Sequence, residues 1–448
     1  MLTTPHAPSD PFMQKPRVVI IGGGFAGMMC AKALKNTPAD VVLIDRRNFH
    51  LFQPLLYQVA TGGLSPANIA APLRSIFRRQ PNVQVLMGSV AGFDSESSSV
   101  VLEDETRCHF DYLVVATGST HHYFGKDSQW EHLAPGLKTI EEATKIRRKI
   151  LLAFEKAERS SDPEEIKRLL TFVVVGGGPT GVEMAGSIAE LSKQTMRKDF
   201  RSIDPTKARV ILVENSQHVL DRYHHSLSIR AAKDLQNMGI ELRNETRLAE
   251  IHSDHVVVMS NGISSIIETE NVVWAAGVKA SPLAQKLAEA YGLGSQIVGG
   301  GRITITPHCT LEGHSNVFAL GDMTSFSGED GKPLPGVAPV AMQQGEYVGK
   351  RINDMILGAV NDKPFRYWDK GNMATIGRSR AIVESGKWRM TGKLAWLAWL
   401  FVHILYLARF ENRVLVIFQW FWNYITRNRT ARLITGEDTS KSTEETKS

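Results

Sequence analysis

One unit occurs twice in this chain. Arg17-Val-Val-Ile-Ile-Gly22-Gly-Gly24-Phe25-Ala26-Gly27 returns as Thr171-Phe-Val-Val-Val-Gly176-Gly-Gly178-Pro-Thr180-Gly181. Each copy is an apolar, β-branched run that feeds a G-x-G-x-x-G turn and then a helix-like stretch. An apolar run without alternation predicts a strand of a parallel sheet, buried on both faces. The first glycine permits the tight turn, the second lets backbone approach a diphosphate, and the third lets the helix pack close on the strand. Phosphates then lie at the helix N-terminus, where free N–H groups and the dipole attract anions. A second apolar strand follows each turn and ends in an acid: Val41-Val-Leu-Ile44 in Asp45, and Val210-Ile-Leu-Val213 in Glu214. Asp45 stands close to the spacing of about 20 residues expected of a ribose-binding carboxylate. A single such motif arises readily as a chance glycine turn. Two, each with strand, turn, helix, strand and acid, predict a chain that holds two dinucleotides, and two held dinucleotides imply electron transfer between them.

The 448 residues are enough for two or three domains, and 43% hydrophobic with 22% charged residues is the balance of an ordinary globular core. A net charge of +6 spread over this length does not call for nucleic acid. Cys30, Cys108 and Cys309 form no C-x-x-C and no close pair, so neither a metal cage nor a local dithiol is expected; buried reduced thiols are. The first fifteen residues are polar, with no apolar run of the kind a secretory signal needs. His121-His122 reads as a solvated loop pair rather than a metal site. Glu141-Glu142 through Lys149 reads as a charged helix face crossing between domains.

Three further segments extend the pattern. Asp111-Tyr-Leu-Val-Val-Ala116-Thr117-Gly118 reads as a strand ending in a small-residue turn, and Asn271-Val-Val-Trp-Ala-Ala-Gly277 parallels it. Asn316-Val-Phe-Ala-Leu-Gly321-Asp322 reads as a strand ending in Gly-Asp. With these in place the chain resembles the flavoproteins that carry two dinucleotide-binding domains. The resemblance implies FAD in the first cradle. It assigns contacts to Gly22, Gly24, Phe25, Ala26 and Gly27, to Asp45 and Gln53, to Ala116, Thr117 and Gly118, and to Gly321, Asp322 and Ala338. Taken alone, Asp322 is equally a turn-forming aspartate. The second cradle comprises Gly176, Gly178, Thr180 and Gly181, with Glu214 and Gly277. A carboxylate at Glu214 accepts hydrogen bonds from both ribose hydroxyls and repels a 2′-phosphate. Asn215, Ser216 and Gln217 bring no arginine to hold that phosphate, so NADH is expected over NADPH. Glu183, two residues after Gly181, is either a first-turn acid favoured by the helix dipole or a group beside the nicotinamide.

A nicotinamide stacked on a flavin passes hydride without a protein acid or base; the sequence must still indicate where the electrons go. Disulfide reductases of this architecture carry a C-x-x-x-x-C pair after the first strand–helix–strand. The corresponding stretch, Asn48-Phe-His-Leu-Phe-Gln-Pro-Leu-Leu-Tyr57-Gln-Val-Ala-Thr-Gly62, has no cysteine, which excludes a dithiol relay. A sulfide-oxidising quinone reductase would also want paired cysteines by the flavin; Cys309 could be one, but Cys108 lies on an apparent strand far from any obvious partner. The C-terminus points elsewhere. Leu394 to Ala408 and Val414 to Ile425 are apolar runs, and five of the eight tryptophans fall between Trp388 and Trp422. Fifteen helical residues reach about 22 Å, short of the roughly 30 Å hydrocarbon core. Lys387, Arg389 and Lys393 precede the runs, Arg409 and Arg413 separate them, and Arg427, Arg429 and Arg432 follow. That pattern predicts segments lying in one leaflet with cations on anionic headgroups. A helix pair buried in a dimer interface is the other reading, and the two are compatible. The polar tail 436–448 is expected to be disordered.

A reducing flavin site attached to a membrane leaflet suggests an acceptor dissolved in the membrane. On these features the chain resembles the type II NADH dehydrogenases, single-subunit NADH:quinone oxidoreductases that do not pump protons. The resemblance rests on Phe52-Gln-Pro-Leu-Leu-Tyr57-Gln-Val-Ala-Thr-Gly62, Gly176-Gly-Gly-Pro-Thr-Gly-Val-Glu183, Trp274-Ala-Ala-Gly277, Ala319-Leu-Gly-Asp322 and Ala338-Pro-Val-Ala-Met-Gln343-Gln344. It implies that the last segment lies under the flavin and lines the quinone site. Relatives often read Ala-Gln-x-x-x-Gln there, whereas this chain has Pro339 at the first Gln, which leaves Gln343 as the quinone contact. The family's basic residue near the quinone maps onto Arg378 of Met373-Ala-Thr-Ile-Gly-Arg378, whose permanent charge would stabilise a reduced quinone. Glu183 is the candidate proton source. The resemblance further implies a homodimer, held peripherally on the cytoplasmic face of the inner (plasma) membrane. The expected fold is α/β: an FAD domain at 16–125 and 295–350, an NADH domain at 165–280, a short β-rich segment at 365–390, and a membrane-association module at 391–430. Competing functions are a soluble NADH-dependent flavin reductase serving a protein acceptor such as rubredoxin or ferredoxin, a sulfide:quinone reductase, and an NADH-binding protein that signals by dimerising.

Overall fold

A computed structural model describes residues 15–329, 331–359 and 362–436. The expectations for the first fourteen residues and for 437–448 lie outside the described residues. The chain divides into two compact units: Met1–His50, Ala71–Thr120 and Val278–Asp369 form the first, and Leu51–Ala70, His121–Gly277 and Lys370–Ser448 the second.

The first unit is built on a six-stranded sheet in the order Thr310–Leu311, His314–Ala319, Tyr112–Val115, Arg17–Ile21, Asp40–Asp45, Val83–Met87. All neighbours are parallel except the first pair. Val18, Val19 and Ile20 are wholly buried, which is why their run is apolar without alternation. The helix Phe25–Ala33 follows the central strand, and the helix Ala338–Ile356 packs against it. Gly345 and Gly349 make that packing possible. A Cβ at Gly345 would overlap the Ala26 carbonyl oxygen, and one at Gly349 would stand 2.7 Å from Cys30 O and 2.6 Å from Ala33 Cβ. The two helices therefore meet backbone to backbone. Gln344, next to Gly345, accepts a hydrogen bond from Gly321 N at 2.8 Å and ties the Gly-Asp turn to the same helix.

The second unit repeats the theme with a four-stranded parallel sheet in the order Ile240–Arg243, Arg209–Val213, Thr171–Val175, Asn271–Trp274. An antiparallel meander, Thr246–Ile251, His255–Ser260 and Ile263–Glu268, adds to its core around Trp274. The long helix Ile140–Arg159 opens on a capping box in which Thr139 and Glu142 bond each other's backbone amides. The same Glu142 accepts from His121 Nε2 at 3.0 Å, and the His121 side chain is only 10% exposed. His121 is thus not the solvated loop residue expected of it; a carboxylate 21 residues along the chain draws it inward.

A third sheet, Asn372–Thr375, Ala381–Ser385 and Trp388–Thr391, leads into the helices Gly392–Tyr406 and Phe410–Thr426. Among the described residues no helix is long and apolar enough to cross a membrane. Both helices expose large apolar side chains, and the second also inverts the usual polarity. Leu394, Leu397, Phe401 and Leu405 are exposed on the first, and Val414, Phe418, Phe421 and Ile425 on the second, while Ala395, Trp399, Asn412 and Val416 are buried. Polar side chains of the second helix face the protein: Asn412 Nδ2 donates to Ala70 O at 3.0 Å, Trp420 Nε1 to Gln58 Oε1 at 2.7 Å, and Asn423 Nδ2 to Gly63 O at 3.0 Å.

The helix–helix crossing in the first unit leaves no room for a side chain at Gly345. Gly345→Ala is expected to lower stability by about 1–3 kcal/mol through overpacking. Gly92→Ala, whose Cβ would meet nothing within 4 Å, should change little. Melting temperatures of the two variants check the difference; equal values would show that the crossing yields easily.

Candidate functional site

The two glycine turns are built alike, atom for atom. Gly22 and Gly176 sit at φ +102° and +106°, where L side chains are strained. A Cβ at Gly22 would overlap Ala116 O, and one at Gly176 would stand 2.8 Å from Ala275 O. A Cβ at Gly27 would overlap Gly22 O, and one at Gly181 would overlap Gly176 O. Gly24 and Gly178, by contrast, have open space where a Cβ would stand. Each is the N-cap of its helix, Phe25–Ala33 or Pro179–Glu190, and neither cap offers a side-chain bond. First-turn amides are thus left facing an unobstructed approach, which fits a dinucleotide diphosphate in both units.

The acids repeat as well. Asp45 Oδ2 accepts from Gly23 N at 2.6 Å and its Oδ1 from Arg47 N at 2.7 Å. Glu214 Oε2 accepts from Gly177 N and its Oε1 from Ser216 N at 2.7 Å. Each carboxylate is therefore pinned between the middle glycine of its turn and the backbone amide two residues beyond itself. That orients it beside the place a ribose occupies when the diphosphate lies on the helix.

The other expected FAD contacts, Gln53 excepted, gather in the first unit. Ala116 to Gly118 adjoin Gly22, and Ser119 Oγ donates to Asp322 Oδ2 at 2.8 Å. Asp322 is more than a local turn-former, since its carboxylate is engaged from another strand. Ala338 begins a helix whose cap Val337 offers no side-chain bond, and Pro339 in that first turn has no amide to give. Gln53 lies in the second unit, exposed at the start of the turn Gln53–Leu55. Gly277, at φ +75°, lies with Thr180 and Glu214 in the second unit; its Cβ would come within 3.2 Å of the Phe124 ring.

Glu183 and Arg378 come together around the helix Pro179–Glu190. Glu183 falls on its second turn, and the first turn carries no acid, so dipole stabilisation does not explain it. The carboxyl is buried, with Thr375 N donating to Oε1 at 3.4 Å. Burial pushes it up to about 8, against the opposing effect of that bond. The Tyr57 hydroxyl bonds Thr375 Oγ1 at 3.2 Å and accepts from Gln58 Nε2 at 3.0 Å. Burial first, and Glu183's charge second, hold the phenols of Tyr57 and Tyr223 above their usual range. Arg378 sits in a tight turn between left-handed Gly377 and Ser379. Its amide donates to Glu190 Oε1, and its guanidinium lies 4.0 Å over the Tyr424 ring and donates to Tyr424 O. Gln343 belongs to the first unit, where its Nε2 donates to Trp368 O and its Oε1 accepts from Trp368 N, both at 3.0 Å. One N–H and one lone pair of that amide remain for a ligand.

Sequence reasoning did not single out Gln344, Tyr57, Thr375 or Glu190. Glu190 had a signal: it stands two helical turns beyond Glu183, on the same face. The cysteines offer no chemistry. Burial pushes the Cys30 thiol up to about 12 and raises those of Cys309 and Cys108.

The pyridine nucleotide-disulphide oxidoreductase family model matches residues 16–345. Type II NADH:quinone oxidoreductase Ndh of Mycobacterium tuberculosis is 43% identical over 96% of this chain and 93% of its own length. The chain belongs to the type II NADH:quinone oxidoreductases. A second type II enzyme of the same organism, NdhA, is 42% identical over 94% of this chain and 90% of its own. Among solved structures, NDH2 from Plasmodium falciparum in complex with NADH superposes with a TM-score of 0.84 at 18% identity, covering 94% of this chain and all of that one. The sulfide:quinone oxidoreductase from Aquifex aeolicus follows at 0.69 and 16%, covering 96% and 95%. At those identities the two structures establish the shared fold. Within this type II chain the three cysteines are free, so the disulphide in the wider family's description has no counterpart here.

The buried carboxyl yields a pH prediction. Its folded-state value is raised, so its stabilising contribution is complete below about pH 4.5 and is lost as pH rises through about 8. Glu183→Gln should therefore gain on the unmodified protein in thermal stability as pH climbs from 5 to 9. Parallel melting curves across that range would exclude the buried, proton-holding state.

Proposed function

We propose that this chain oxidises NADH and passes two electrons through bound FAD to a quinone at a membrane surface, without proton pumping. The observation that carries the reading is the pair of matched cradles in one chain, each with open first-turn amides and a pinned carboxylate. Membership of the type II enzymes supports the same reaction and the same cofactors. FAD, when bound, supplies the two-electron chemistry between nicotinamide and quinone.

The protein's share is to bind, orient and hold a proton. In this reading the FAD contacts other than Gln53 fall in the first unit and the NADH contacts in the second. Glu214 takes the adenosine ribose hydroxyls of NADH and rejects a 2′-phosphate. Glu183 is neutral at pH 7 and carries a proton for the reduced quinone, and Tyr57 and Thr375 fix where it stands. Arg378 places a permanent positive charge where the quinone gains negative charge. Gln343 offers its remaining N–H to a quinone oxygen.

The membrane part of the proposal rests on the apolar faces of the last two helices. Both expose large apolar side chains, polar ones of the second bond the protein, and lysines and arginines rim them. Such a face suits one leaflet, with cations at anionic headgroups of the cytoplasmic side. Two copies paired as a homodimer would present it to the same leaflet. A reductase for a soluble carrier protein has no use for this face.

The purified full-length chain should be yellow, bleach on addition of NADH and recover colour with a short-chain quinone. NADPH should act far more slowly. Glu214→Gln should raise the KM for NADH by roughly tenfold, the loss of one charge-assisted bond. Equal turnover with NADH and NADPH would contradict the Glu214 assignment, and a colourless chain that takes up no flavin would end the proposal. Separately, Phe418→Asp combined with Phe421→Asp should release the protein from anionic lipid vesicles in a sedimentation assay while leaving bleaching by NADH intact. Undiminished sedimentation would move the attachment elsewhere.

A further inference from the structure

Glu183 and Glu190 stand two turns apart on the helix Pro179–Glu190, and both reach the strand end that carries Arg378. Between them Gly186 backs onto that segment, where a Cβ would lie 3.2 Å from Gly377 N. Gly377 itself is left-handed, and a Cβ there would meet Glu190 Oε1 at 2.7 Å. Two glycines thus clear the space through which Glu190 Oε1 reaches the Arg378 amide.

The other oxygen of Glu190 faces the C-terminus. Oε2 pairs with Arg429 Nη2 at 3.0 Å, and the two side chains are 16% and 12% exposed. Arg429 Nη1 also donates to Thr61 O at 3.2 Å, and Ala431 N donates to Gly62 O at 3.2 Å. Directly after Glu190 the helix widens into a π turn, Leu191–Thr195, and Thr195 Oγ1 reaches Arg427 O at 3.2 Å. The segment following the last helix is therefore fastened at its start, at Arg429 and at Ala431. The guanidinium of Arg378 is held by that same last helix, through Tyr424. Both ends of Arg378, amide and side chain, depend on how the C-terminal helix is seated.

We propose that Glu190 is a positioning residue for the acceptor half of the reaction: it fixes Arg378 through its backbone and makes that position conditional on the docking of the C-terminal helix. The inference rests on the reading that Arg378 faces the quinone. A mostly buried carboxylate with one cationic and one amide partner is a rigid strut, because neither oxygen can swing away without leaving a charge unpaired. Displacing a positioned group by about 1 Å costs up to about 100-fold in rate. The consequence is selective: reduction of the flavin by NADH does not use Arg378, whereas reoxidation by quinone does.

Stopped-flow absorbance of the flavin separates the two half-reactions in the full-length holoenzyme. Glu190→Ala is expected to bleach with NADH at the unmodified rate and to lose about tenfold or more in reoxidation by a short-chain quinone. Glu190→Gln keeps an acceptor for the Arg378 amide and should recover part of that loss. The double variant Glu190→Ala with Arg378→Ala should reoxidise no more slowly than Arg378→Ala alone. If Arg378→Ala slows reoxidation and Glu190→Ala does not, this inference falls and the quinone reading stands. If Arg378→Ala reoxidises normally, the reading beneath it falls. Equal slowing of both half-reactions by Glu190→Ala would mean a general structural role and would also overturn the proposal. Should Glu190→Ala fail to hold flavin, Glu190→Gln and Arg429→Lys carry the same comparison.

Discussion

Everything in this molecule depends on backbone meeting backbone at the two glycine turns. A helix presents unpaired amides to a phosphate only if its first turn lies directly over the end of the preceding strand. That requires the third glycine to sit against the carbonyl of the first, at a separation no Cβ tolerates, in both Gly27 and Gly181. Once the helix is there, the middle amide of the turn points at the end of the next strand, and a carboxylate at that position must accept it. Asp45 and Glu214 do so with the same pair of bonds, one side chain a methylene longer than the other. The first unit extends the same economy with Gly345 and Gly349, which bring the middle of a second helix onto the first helix.

At the C-terminus the organising force is opposite in sense. A helix that turns polar residues inward normally leaves apolar surface in water at a cost of about 25 cal/mol for each Å². Asn412, Trp420 and Asn423 nevertheless face the protein, because segment 58–70 offers carbonyl oxygens and the Gln58 amide as partners. The inner polarity is thus dictated by loop backbone needing donors, and the outer apolarity by whatever covers the helix. The hydrogen bonds and the greasy face are two sides of one arrangement. Gln58 also bonds Tyr57, which bonds Thr375, which bonds Glu183. A continuous line of polar contacts therefore joins the outermost helix to the buried carboxyl.

What the sequence disclosed, and what it withheld, follows from the range of the interactions. The two cradles were legible because their geometry is local: strand, glycines, helix and acid lie within a short stretch of chain, and each glycine has a steric reason readable from spacing. The apolar runs at 394–408 and 414–425 were legible from composition alone. Contacts between distant segments were not. His121 read as a loop residue because Glu142 becomes its neighbour only through folding. Gln344 looked like a companion of Gln343, yet it is the one bonded to the Gly321 turn, while Gln343 is held by the backbone of Trp368. Arg429 read as one of several rim cations, and burial against Glu190 sets it apart. A one-dimensional reading of Glu183 offered the helix dipole as an explanation, and its second-turn position removes it.

Glu183 and Glu190 show how one helix assigns two roles to one side chain type. Both are screened from water and both accept a backbone amide from the same short segment, Thr375 in one case and Arg378 in the other. They differ in the second partner. Glu190 meets a guanidinium, and among the described residues Glu183 meets none. A carboxyl buried without a cation keeps its proton into the neutral range, because ionising it there would strand a charge in a poorly polarisable surrounding. A carboxyl buried against an arginine has the opposite incentive and serves as an anchor for charge and backbone alike. Exchanging the two environments would exchange the roles. On the reading proposed above, the position of Arg429, far along the chain and beyond the last helix, is what separates the glutamate that carries a proton from the one that holds the frame.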